Sequence, residues 1–261
     1  MLRRIFRTGL FALVAVVVGG IAAGGYAAYA RHGEPPPTVR IKYFGDSTIW
    51  GLNVDGSTDQ YETNPPRVLE EELRARCGMR VVVENDAVPG TYASQLLYGT
   101  AEYLRVPFER RMQRSSAQIV IMSFGINDAM GYADAASYRH HMDTLARLAI
   151  RYGKTVVFES SNPAIDGSVS AIPGQASRLA ELIEAQTLLA KQAGLPMVDQ
   201  YYRYLKSGQD LLTLFPDGIH PTAAIAREKA LRVADTIEPM VCPKVSHFGR
   251  WARLTWDGWH N

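Results

Sequence analysis

The feature that most constrains this chain is an alternation between residues 38 and 238: short runs rich in β-branched residues, each followed by a stretch with helical spacing. Residues 38–44 alternate apolar and polar side chains, as a strand does. Further strand-like runs follow at 80–83, 117–124, 154–159 and 196–199. The valines at 81–83 suit a strand buried on both faces. Between them, Asn64 is placed to cap a helix that has Pro65 at its first position, carries Val68, Leu69, Leu73 and Cys77, and stops at Gly78. Helices are predicted at 93–112, 135–152 (closed by Gly153), 176–193 (ended by Gly194) and 222–237. Strands alternating with helices at this spacing predict an α/β domain with a parallel sheet covered on both faces.

The chain has 261 residues, 47% of them hydrophobic, which suffices for one sizeable core but not two. Residues 1–30 read as an export leader. Arg3, Arg4 and Arg7 precede an apolar run from Leu10 to Val18, and Ala28-Tyr29-Ala30 fits a cleavage site. The uncharged stretch 8–30 is also long enough to span a bilayer, so the leader is either a signal peptide or a signal anchor, with membrane contact through residues 8–30 in the second case. Either way, the domain is expected outside the cytoplasm, in the periplasm or beyond. Residues 31–37 form a Pro-rich linker, 38–240 the domain and 241–261 a Trp-rich tail, with Trp251, Trp256 and Trp259 among Arg250, Arg253 and His260. That tail is expected to pack on the domain, with membrane or glycan contact as the alternative. Removing the three leader arginines takes the net charge from +2 to −1, so no basic stripe remains for nucleic acid.

Cys77 and Cys242 are the only cysteines. In a doubly wound sheet the first and last helices share a face and a direction, which would bring both cysteines to one end of the molecule. An exported protein can keep a disulfide there; two buried free thiols are the alternative.

Chemistry gathers at the predicted carboxyl ends of strands, where open α/β sheets form their binding crevices. Gly45-Asp46-Ser47 ends the first strand, and Ser47 can be a nucleophile only if a base and an oxyanion pocket converge on it. Of the six histidines, His220 has the best surroundings: Asp217 lies three residues upstream in a turn-rich stretch, within reach of one imidazole nitrogen. Gly90, after the second strand, can present a bare backbone N–H, and Asn127, after the third, a side-chain amide. An ordinary turn glycine and a helix cap are the plainer roles for these two. Asp46 is read as a turn residue, Asp128 as support for its loop, and His140-His141 as a solvated pair. Trp50 either lines a subsite or packs in the core. The Gly-x-Ser-x-Gly elbow is absent because Ile49 holds its last position.

Four stretches in this order, Gly45-Asp46-Ser47, Asn85 to Gly90, Gly125-x-Asn127-Asp128 and Asp217-x-x-His220, resemble the sequence blocks of the SGNH hydrolase (GDSL esterase/lipase) family. The resemblance implies a flavodoxin-like three-layer α/β/α sandwich with a five-stranded sheet. It implies Ser47 as nucleophile, His220 as base, Asp217 as its orienting acceptor, and an oxyanion hole from the Ser47 and Gly90 backbone N–H groups and the Asn127 amide. It further implies ester hydrolysis through an acyl-enzyme, with no cofactor and no metal. Ala87 and Pro89 depart from the freer second block of the family, which leaves the direction of the Gly90 N–H open. Thr48 and Gly51 look more like the carbohydrate acetylesterase branch, pointing to a small acyl group on a sugar or other short ester. An O-acyltransferase with the same triad, and a non-catalytic cell-envelope binding protein, are the alternatives.

Overall fold

The computed structural model describes residues 38–242 apart from 55–58, 79 and 104. The expected leader, the Pro-rich linker and nearly all of the Trp-rich tail lie outside these. Five parallel strands form one sheet in the order β2-β1-β3-β4-β5: β1 (Val39–Gly45), β2 (Val81–Asn85), β3 (Ile119–Phe124), β4 (Thr155–Ser160) and β5 (Met197–Val198). This is the flavodoxin-like strand order. The register aligns Tyr43 with Asn85 and Gly45 with Ser123, so the chain leaves β1, β2 and β3 along one edge.

Strand periodicity divides the core in two. Ile41, Tyr43, Ile119 and Ile121 face α2 (Pro65–Cys77) and α10 (Ala223–Val241), which supply Leu69, Leu73, Val233 and Ile237. Phe44, Val120, Met122 and Phe124 face the opposite layer. There, α6 (Ala135–Arg151) contributes Met142 and Leu145, and α7 (Gln175–Ala193) contributes Leu179 and Ile183. The three-layer sandwich follows from that alternation.

Caps set α2 where the sequence puts it: the Asn64 side chain accepts from Arg67 N, and Gly78 closes the helix at φ 61°. Cys77 and Cys242 are joined by a disulfide, with their Cα atoms 4.8 Å apart. Beside it, Arg76 bridges to Asp235 at 2.7 Å and Glu238 at 3.0 Å, tying α2 to α10.

The structure corrects three expectations. Residues 93–112 are not one helix: α3 (Ala93–Tyr98) ends at Gly99, a 3₁₀ turn spans Ala101–Tyr103, and α4 (Phe108–Arg114) follows Pro107. Gly99 sits at φ 70°, and a Cβ there would lie 2.4 Å from the Val106 carbonyl carbon, so the chain doubles back where a helix would continue. Strand β2 is not buried on both faces; it is an edge strand in which only Val81 is buried, with Lys42 bridging to Glu84 at 2.6 Å on its flank. Finally, α10 runs through Pro239 to Val241 instead of stopping at Ile237. Short helices also appear where loops were expected: α1 (Ser47–Trp50), α5 (Ile126–Met130), α8 (Tyr201–Leu205) and α9 (Leu211–Leu214).

Candidate active site

The strand order reverses between β1 and β3, and the crevice beyond such a switch point is where ligands bind in open α/β sheets. Ser47 leaves β1 there and Asn127 leaves β3. Gly45 is required by close approach: a Cβ on it would sit 2.6 Å from the Ile49 side chain and 2.9 Å from the Ser123 carbonyl oxygen. Asp46 caps α1, its Oδ1 accepting from Thr48 N at 2.9 Å and from Thr48 Oγ1 at 2.8 Å. This cap turns the chain sharply after β1 and fixes Ser47 at the helix start, where it is 7% exposed.

The segment 215–222 comes from the far end of the chain to meet it. His220 Nε2 lies 2.8 Å from Ser47 Oγ, and His220 Nδ1 lies 2.6 Å from Asp217 Oδ2. Asp217 Oδ1 accepts from the backbone N–H of Ile219 at 3.0 Å and of His220 at 2.7 Å, so the carboxylate organises the turn as well as the ring. Burial alone would raise Asp217, but hydrogen bonds from the imidazole and these two amides hold it well below the usual carboxylate range. An ionised Asp217 keeps the proton on Nδ1, which leaves the Nε2 lone pair to accept from the Ser47 hydroxyl.

The two further expected residues arrive on their own loops. Backbone bonds from Asp86 N to Tyr43 O (3.0 Å) and from Val88 N to Gly45 O (2.9 Å) lay the post-β2 loop along the end of β1. Gly90 follows at φ 73°. Asn127 Nδ2 donates to the Thr91 carbonyl at 3.2 Å. A primary amide carries two N–H groups, so this bond orients the side chain and leaves the second for a ligand. Ser47, Gly90, Asn127 and His220 all line one cleft of about 240 Å³, whose apolar walls come from Leu52, Pro89, Met130 and Ile219.

Ser170 lines the same cleft, and sequence reasoning did not single it out. Its Oγ donates to Asp217 Oδ2 at 2.9 Å, the oxygen that also takes the imidazole N–H, and its backbone N–H donates to Asp217 O at 3.0 Å. Gly218 allows this approach: a Cβ on it would overlap the Ser168 side chain. Other expected residues fall outside the cleft. Trp50 packs against the α2–α10 side of the core. His140 is exposed, and the neighbouring His141 ring stands edge-on to Tyr98. Asp128 Oδ1 accepts from Ala93 N at 3.1 Å, tying the post-β3 loop to the start of α3.

This arrangement fits the comparisons with known proteins. Residues 43–227 match the model of the GDSL-like lipase/acylhydrolase family. The chain belongs to that family. It is accordingly a carboxylic ester hydrolase of SGNH type. Among solved structures, a lipase/acylhydrolase from Enterococcus faecalis superposes at TM-score 0.62 with 20% identity, covering 80% of this chain and 100% of its own. A carbohydrate acetylesterase from Sinorhizobium meliloti does so at TM-score 0.62 and 15% identity, covering 77% of this chain and 99% of its own. An aryl esterase from M. smegmatis does so at TM-score 0.60 and 18% identity, again covering 77% and 99%. At these identities the likeness concerns the fold. No curated protein sequence matches the chain.

Proposed function

We propose that this GDSL-family hydrolase is an exported enzyme that removes a small acyl group, acetyl above all, from a carbohydrate or another short-chain ester, with Ser47 as nucleophile, His220 as base and Asp217 as its orienting acceptor. The observation that carries the reading is the unbroken path from Ser47 Oγ through His220 to Asp217, at 2.8 and 2.6 Å. As Ser47 Oγ bonds to the ester carbonyl carbon, its proton passes to Nε2 and the carbonyl π electrons move to oxygen. That oxyanion accepts from the Asn127 amide and from the backbone N–H groups of Ser47 and Gly90. Collapse breaks the bond to the alcohol oxygen, which takes the proton from Nε2 and leaves. Water then repeats the sequence on the acyl-Ser47 ester, giving the free acid and restoring the serine.

The small cleft and its apolar walls support a short acyl group. The sugar side of the reading draws on Thr48 and Gly51 and on the neighbour named as a carbohydrate acetylesterase. Export is supported by the leader sequence and by the Cys77–Cys242 bridge, which persists in an oxidising compartment.

An organophosphonate should label the protein once, on Ser47, and Ser47→Ala should abolish both labelling and hydrolysis of a short activated ester while leaving Tm unchanged. Labelling elsewhere, or activity surviving in Ser47→Ala, overturns the assignment. Incubation with acetylated glycans should release acetate; acyl groups appearing mainly on an added sugar would make the protein a transferase.

A further inference from the structure

Lys229 sits on the inner face of α10 and is fully buried, although it lines no part of the cleft. A buried ammonium is costly unless partners hold it. Here its Nζ donates to Asn162 Oδ1 at 2.8 Å. Asn162, equally buried just after β4, donates from Nδ2 to the Ile219 carbonyl at 2.7 Å. Ile219 is the residue before His220. Cation, amide and carbonyl therefore form a continuous chain that ends one residue from the imidazole. Buried carboxylates surround its far end: Glu159 accepts from the Tyr43 hydroxyl and from Gln200 Nε2, the latter at 2.8 Å. Burial pulls Lys229 below the usual lysine range, and the charges of Glu159 and Asp46 pull it back up.

The chemistry of the chain has a direction. Lysine donates and never accepts, so it admits only the asparagine rotamer with oxygen toward the ammonium. That choice turns the NH₂ group toward Ile219. Replacing the lysine alone would strand the Asn162 oxygen and leave Glu159 and Asp46 without their buried cation, so part of the loss falls on stability. The bond from Asn162 to the Ile219 carbonyl gives the same lysine a second effect, on the loop that carries His220.

We propose that Lys229 and Asn162 are positioning residues for His220: Lys229 sets the orientation of the Asn162 amide, and Asn162 holds the Ile219 carbonyl so that the imidazole reaches Ser47. The proposal rests on the reading of Ser47 and His220 as nucleophile and base. Two variants of the full chain test it. Lys229→Met keeps the aliphatic stem and removes the cation. Asn162→Asp keeps an acceptor for Lys229 but has no N–H for Ile219. Hydrolysis of a short activated ester is measured, and active sites are counted by the final extent of organophosphonate labelling, so that folded enzyme alone enters the rate. Each variant should lose about tenfold in kcat per labelled site, with KM within about twofold of wild type, because a loosened base costs turnover before it costs binding. If Lys229→Met fails to fold, Asn162→Asp decides the matter. A per-site kcat for Asn162→Asp within about twofold of wild type overturns the proposal, whatever its Tm. Wild-type protein that neither hydrolyses the ester nor takes up the phosphonate overturns instead the Ser47–His220 reading beneath it.

Discussion

Asp217 accepts four hydrogen bonds, two on each carboxylate oxygen, and only one of them comes from the imidazole. The Ser170 hydroxyl competes with His220 for Oδ2, so it both steadies the carboxylate and draws off part of its charge. Ser170→Ala should therefore lower kcat/KM by about three- to tenfold with little change in Tm, and Ser170→Thr should restore most of the loss. Equal kcat/KM in Ser170→Ala and wild type would leave Ser170 as a wall of the cleft and nothing more. Asn127→Ala should be worse, losing on the order of 10²–10³ in kcat if its second N–H meets the oxyanion; a loss of only a few-fold in the same assay reassigns that donor. Ser47 and Asn127 stand out in the sequence because each follows a strand end, and Asp217 and His220 because a turn-rich stretch before the last helix sets them three residues apart. Ser170 and Asn162 do not, because their partners lie 47 and 57 residues further along and no local pattern joins them.

Two elements distant in sequence, α2 and α10, are held as one by the disulfide, by Arg76 and by the Leu69, Leu73, Val233 and Ile237 contacts. Cys77 ends α2 just before β2 begins, which puts the bridge at the amino-terminal edge of the sheet, opposite the cleft. The double variant Cys77→Ser/Cys242→Ser should thus lose about 2–5 kcal/mol of stability by urea titration, consistent with a loop of 165 residues, while kcat stays as in wild type. A matching fall in kcat would mean that strain at this edge reaches the site. Most elements were legible because their caps are: Asn64 and Gly78 bound α2, and Gly153 and Gly194 follow α6 and α7. The reading of 93–112 failed by weighing helical spacing above Gly99 and Pro107, and the close contact of Gly99 with residue 106 is a tertiary event that periodicity does not register. The valines of β2 suggested an interior strand, but edge and centre differ in what lies beside them, which composition does not record.

At the scale of the whole molecule, a cluster of carboxyls buried behind the cleft makes stability depend on pH. Burial, opposed by the bond from Ala93 N and reinforced by the charge of Asp46, raises Asp128 from 3.8 to about 7. A group whose folded value is raised stabilises fully below its unfolded value and loses that contribution as pH climbs to the folded one. Asp128→Asn cannot ionise, so its Tm should gain on wild type between pH 4 and pH 7. A Tm difference that is the same at both ends of that range would show an ordinary carboxyl. Asp217 has the opposite sign: its lowered value supplies stability above 3.8 that is lost as pH falls further. The three-layer architecture and the strand edge that carries the site were readable from periodicity, whereas these buried charges were not, since burial is a property of the folded whole. One geometric fact bears on handling the protein. Thr38 enters β1, and Cys242 leaves α10 beside Cys77, both at the edge away from Ser47. A bead, a fusion partner or a surface attached directly at Thr38 therefore meets the back of the domain and leaves its mouth open to a polymer too large to diffuse around it.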